Sequence, residues 1–103
     1  MYQIVLCNCP NNEVATTIAK RLVGDKLAAC VNIIANVSSV YRWQDNIEID
    51  NEVTLLIKSK TSLFSEIEQC IESIHPYDVC EIIAIDINQG NPLYLNWLKE
   101  SVK

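Results

Sequence analysis

Glycine and proline are scarce, at two and three in 103 residues. That excludes a flexible linker or a collagen-like repeat, and it leaves the chain free for long regular elements. Histidine is scarcer still. His75 stands alone, so a His-rich catalytic metal centre cannot be built within one chain. No apolar run approaches the roughly 18 residues of a membrane-crossing helix. The glycine-rich fingerprints GxxxxGK[ST] and GxGxxG, which cradle phosphates, do not occur, and neither does the CxxC of thioredoxin-type redox sites and zinc ribbons. Basic residues are outnumbered eight to thirteen, giving a formal charge of −5. Nucleic acid and anionic membrane both select cationic surfaces, so neither is expected as a partner.

What is present describes an ordinary globular chain. Half the residues are hydrophobic and 20% are charged, enough to build a core without covalent staples. With no repeat, low-complexity stretch or linker, residues 1–103 read as a single domain. The opening Met1-Tyr2-Gln3-Ile4-Val5-Leu6 lacks a basic segment ahead of its apolar residues, so a secretory leader is not expected and the cytoplasm is. The five cysteines agree, because their odd number opposes a disulfide framework. Cys30 and Cys70 lie in apolar runs and are expected as core filler.

Tyr2 to Asn8 reads as a buried strand ended near Pro10. Asn11 or Asn12 can cap a helix in which Val14, Ala15, Ile18, Ala19 and Leu22 recur at helical spacing, with Gly24 as its stop. Leu27 to Trp43 is long and rich in β-branched residues. Gln44, Asp45 and Asn46 turn the chain into a second long strand, Ile47 to Lys60. Both far exceed the usual 5–6 residues of a strand, and the overhang is expected to pair with another subunit. Thr61 or Ser62 can cap the next helix, whose buried face is Leu63, Phe64, Ile67, Cys70, Ile71 and Ile74, before Pro76 stops it. Cys80 to Ile87 is a fourth strand, and Asn91-Pro92 opens a last helix to about Glu100. The order β-α-β-β-α-β with a tail helix predicts an α+β, ferredoxin-like sandwich whose two helices share one face of an antiparallel sheet.

Chemistry concentrates in three places. Cys7 and Cys9 close the first strand, where alternation puts both thiols on one face, about 6.5–7 Å apart along the strand. They either pack beneath a helix or serve as soft ligands for copper or zinc. His75, followed by Pro76, Tyr77, Asp78, Val79, Cys80 and Glu81, lies between a helix and a strand. It is a helix-end cap, a ligand or an acid–base group. Tyr41-Arg42-Trp43, near the tip of the long hairpin, can anchor an interface or stack on a ligand. Tyr94 and Trp97, three apart on the tail helix, are expected to dock that helix.

Five segments in register carry a resemblance. Leu27-Ala28-Ala29-Cys30-Val31-Asn32, Ser39-Val40-Tyr41-Arg42-Trp43, His75-Pro76-Tyr77, Glu81-Ile82-Ile83 and Tyr94-Leu95-Asn96-Trp97-Leu98 closely resemble the CutA family of divalent-cation tolerance proteins. The resemblance implies a ferredoxin-like subunit in a stable homotrimer, its long hairpins paired around a threefold axis. It implies metal tolerance, chiefly toward copper, and no enzymatic reaction. The family's proposed metal ligands fall on Cys7 and His75, with Glu81 at a common acidic position. Where some members have a second histidine this chain has Ile74, and where many have proline it has Cys80. The family also resembles PII signalling trimers. The alternative function is therefore a small-effector-binding module, with Tyr41, Arg42, Trp43, Lys58 and Tyr77 in an inter-subunit cleft.

Overall fold

Every second residue of the first strand is hidden from solvent: Gln3, Val5, Cys7 and Cys9. That period of two is what a strand with one face on a core requires. The computed structural model, covering Met1–Lys103, is built of β1 (Tyr2–Cys9), α1 (Asn12–Gly24), β2 (Cys30–Trp43), β3 (Asn46–Lys60), α2 (Phe64–Ile74), β4 (Ile82–Ile87) and α3 (Pro92–Ser101). The strands form one antiparallel sheet in the order β2-β3-β1-β4, the α+β ferredoxin-like arrangement expected from the sequence. The inward residues of β3 are Val53, Leu55, Ile57 and Ser59, and they lie beside those of β1.

Helices α1 and α2 cover this face. Ala15, Ile18 and Leu22 from α1 meet Ile67 and Ile71 from α2 in one core with Val5, Cys7, Cys9, Leu55 and Ile57. Asn11 caps α1 by accepting the Val14 amide at 2.9 Å. Helix α3 packs against β3 and buries Leu98, and the Asn91 side chain caps it by accepting the Leu93 and Tyr94 amides.

Some local expectations are corrected. Gly24 ends α1 but does not supply the left-handed turn. No glycine has positive φ, and Lys26, at φ 59°, makes that turn while its amide bonds the Val23 carbonyl. Strand β2 begins at Cys30 rather than Leu27, because Leu27 and Ala28 bury their side chains and send their amides to the Leu22 carbonyl. Neither Thr61 nor Ser62 caps α2 with its side chain. Thr61–Leu63 instead forms a 3-10 turn running into the helix. Strand β4 starts at Ile82, leaving Cys80 in the preceding loop. Cys70 is half-buried and packs against the core as expected, Cys30 is half-buried without joining it, and Cys7 and Cys9 are fully buried.

The β2–β3 hairpin extends well beyond the helices and gives the molecule its 45 Å long axis. Its turn is two residues long, Gln44 and Asp45 between the paired Trp43 and Asn46, with φ of 48° and 67°. Positive φ at both positions marks a type I′ turn, whose twist matches the flanking strands. Where the ribbon leaves the sheet, pairing jumps from Ile34↔Thr54 to Val37↔Glu52. Ala35 and Asn36 then oppose only Val53, a bulge in which Asn36 takes φ 61°. Beyond it Val40, Ile47 and Ile49 share one face and are 65–71% exposed. Tyr41, Trp43, Glu48 and Asp50 share the other.

Candidate metal centre and the adjoining cleft

The end of β1 and the end of α2 meet. Pro76 forbids another helical turn, so His75 leaves α2 with extended backbone (φ −68°, ψ 134°) while its amide still bonds the Ile71 carbonyl at 2.8 Å. That exit swings the imidazole under β1. Its Nε2 lies 2.8 Å from the Asn8 carbonyl oxygen and its Nδ1 accepts the Tyr77 amide at 3.2 Å. An amide N–H can only donate, so Nδ1 carries the lone pair and Nε2 carries the proton. His75 is thus a neutral, 93%-buried ring that splints the loop to the strand, since only 7% of it is exposed.

Beside it lie the thiols of Cys7 and Cys9, both fully buried. The two sulfurs and an imidazole nitrogen lie within 4.8 Å of one another, the only group of three such donors in the chain close enough to share an ion. The thiols act on each other. Hydrogen bonding to Cys9, then burial, pushes the Cys7 thiol far above its ordinary range. The same hydrogen bond from Cys7 lowers Cys9, against an opposing effect of burial. One proton of the pair is therefore held tightly and the other is released more readily.

Glu81 stands outside this triplet. Its Oε1 accepts the Asn8 side-chain amide at 3.2 Å, and Asn8 Oδ1 accepts the Thr54 hydroxyl at 2.7 Å, so Glu81 steadies the outward face of β1 at the same residue whose carbonyl meets His75. The Cys80 thiol sits 3.6 Å from the Tyr77 carbonyl oxygen, in the loop and apart from the triplet.

A cavity of about 660 Å³ opens between this loop and the ribbon. Tyr41, Trp43 and Tyr77 line it, along with Glu48, Glu52 and Asp78. Arg42 and Lys58 do not. Arg42 pairs with Ile47 on the opposite ribbon face, and Lys58 bonds the Asn32 side chain on the open face of the sheet. Cys9 was visible in the sequence by its spacing from Cys7, but no motif marks it as a third donor. Glu48 and Glu52 left no sequence signal, because the register of the ribbon is what brings them to the cleft.

The whole of this architecture can be set beside known proteins. Residues 3–101 match the family described as "CutA1 divalent ion tolerance protein". The chain belongs to the CutA1 family. It is 46% identical over 101 residues to the "Divalent-cation tolerance protein CutA" of Thermus thermophilus, covering 98% of each chain. It is 49% identical over 94 residues to a "Protein CutA homolog" of Xenopus laevis, covering 91% of this chain but only 62% of that protein. The solved structure of the Thermus thermophilus CutA1 superposes with a TM-score of 0.97 at 46% identity, each chain covered completely. The CutA1 relationship accounts for the long ribbon and the tail helix together.

Proposed function

We propose that this chain confers tolerance to divalent metals by binding metal, copper foremost, as a cytoplasmic homotrimer without catalytic activity. The observation that carries the metal reading is the buried Cys7–Cys9–His75 triplet. Its donor set fits a soft or borderline ion. Thiolate–metal bonds of about 2.3 Å let two sulfurs share one metal when they are up to about 4.6 Å apart. Thiolate donors suit Cu(I) and zinc, and imidazole suits both metals. The carboxylate of Glu81 would support the site through Asn8.

Coordination by both thiols requires both protons to leave. Cys7 is the thiol that resists, so binding is coupled to proton release. His75 can offer Nε2 only by giving up its bond to the Asn8 carbonyl and shifting its proton to Nδ1, which displaces the Tyr77 amide. The two sulfurs therefore supply most of the affinity and the imidazole adds to it. The family name supports metal tolerance, and five free thiols fit a reducing compartment. The trimer reading draws on the ribbon. Its β2 edge is unpaired and its apolar face is open, the chemistry that adds strands from a second chain.

Titration of the reduced protein with Cu(I), delivered from a competing chelator, and with Zn(II) tests the metal reading. Saturable binding near one ion per chain, lost in Cys7→Ser/Cys9→Ser, is expected. Equal binding by that variant and the unaltered chain would overturn it. The effector-module alternative concerns a cleft between subunits, and the part of it that one chain supplies carries the aromatic rings of Tyr41, Trp43 and Tyr77 with four carboxylates.

A further inference from the structure

Both ring nitrogens of His75 are occupied by backbone groups, so the metal centre and the α2–β4 loop compete for one imidazole. Nδ1 gives its lone pair to the Tyr77 amide, and Nε2 directs its proton at the Asn8 carbonyl. A coordinating nitrogen must turn a free lone pair toward the metal. Coordination through Nδ1 takes the acceptor away from the Tyr77 amide directly. Coordination through Nε2 sends the proton to Nδ1, where it faces the Tyr77 N–H, donor against donor. Either route breaks the same bond, and the ring stays neutral throughout.

Tyr77 is where the loop Pro76–Glu81 is fastened. Its ring rests on the imidazole, with centroids 4.7 Å apart and planes at 58°. Its hydroxyl donates to Glu52 at 3.3 Å, and its carbonyl oxygen lies 3.6 Å from the Cys80 sulfur. Glu52 pairs with Val37, where the ribbon leaves the sheet. None of the ten backbone–backbone hydrogen bonds outside helices and strands involves residues 76–81, so the loop depends on side-chain bonds such as these. We infer that the metal centre is also a switch: coordination by His75 unlatches Tyr77 and frees the α2–β4 loop, which then reports whether the site is filled. This coupling rests on the metal reading and adds an output to it. The contacts all lie within one chain, so the switch works whether or not a neighbouring subunit covers the cleft.

Residue-resolved hydrogen exchange of the reduced full chain, followed by NMR with and without saturating Cu(I) from a competing chelator, tests this. The Tyr77 amide is expected to exchange about tenfold faster or more in the loaded protein, with the Ile18 and Ile57 amides of the core unchanged. In Cys7→Ser/Cys9→Ser the same addition should leave Tyr77 exchange as it was. In His75→Ala, Tyr77 should exchange fast with or without metal, although the thiols still bind it. Should that variant fail to fold, the loaded and metal-free unaltered chains decide the matter alone. Saturable binding with unchanged or slower Tyr77 exchange would overturn the coupling and leave the metal reading standing, whereas no binding would remove both. Acceleration that persists in the thiol variant would place the response elsewhere and overturn the coupling as well.

Discussion

At the scale of single residues, His75 is the side chain on which most depends. Its ring joins the α2–β4 loop to the carbonyl of Asn8, and both ring nitrogens are occupied by backbone groups. His75→Ala would leave the Asn8 carbonyl and the Tyr77 amide without their partner. We expect a loss of about 1–3 kcal/mol, measured by urea unfolding of the metal-free protein. The thiols give a second prediction. A thiol with a raised pKa is protonated near neutrality, so a metal bound through Cys7 must displace that proton. Affinity should therefore rise with pH, about tenfold per unit for each proton released, in titrations from pH 6 to 8. A flat profile would mean that Cys7 is not a ligand. The shared face of the two thiols was legible in the sequence, because strand alternation alone dictates it. The partners of His75 were not. They depend on how a loop without regular structure returns to β1.

Among the elements, α1 shows where local signals succeed and where they mislead. Its cap and its buried stripe follow from Asn11 and from the spacing of Ala15, Ile18 and Leu22. The helix does end at Gly24, but Lys26 rather than the glycine makes the left-handed turn. The helix runs to Gly24, where an added Cβ would meet nothing within 4 Å. Gly24→Ala should therefore stabilise the protein by about 0.5–1 kcal/mol, the ordinary helix preference for alanine. Lys26→Gly should add about 1 kcal/mol by removing left-handed strain. Thermal melts of the two variants and their combination check both, and a lower melting temperature for either would contradict this account of the helix end. The long hairpin was legible in outline from its β-branched residues and polar turn. The bulge at Ala35–Asn36 was not, because it arises from pairing with β3 rather than from local composition. That bulge also sets which ribbon residues face the cleft, so Glu48 and Glu52 were not foreseen there.

For the whole molecule, a sheet face packed beneath α1 and α2 contrasts with a ribbon that the chain's own helices leave bare. Ile47 and Ile49 are each 71% exposed on the same face as Val40. If that face is buried between subunits, light scattering should give a mass three times the 11.7 kDa of the chain. Ile47→Asp/Ile49→Asp should shift it to the single-chain mass, since introduced carboxylates cannot be buried unpaired. An unchanged mass in the variant would remove these residues from the interface. The central claim is that metal is held by the sulfurs at the end of β1. X-ray absorption at the copper edge of the loaded protein measures this directly. The account predicts about two sulfur neighbours per copper at roughly 2.2–2.3 Å, lost in Cys7→Ser/Cys9→Ser. A shell of oxygen and nitrogen alone, or a spectrum unchanged in that variant, would contradict it.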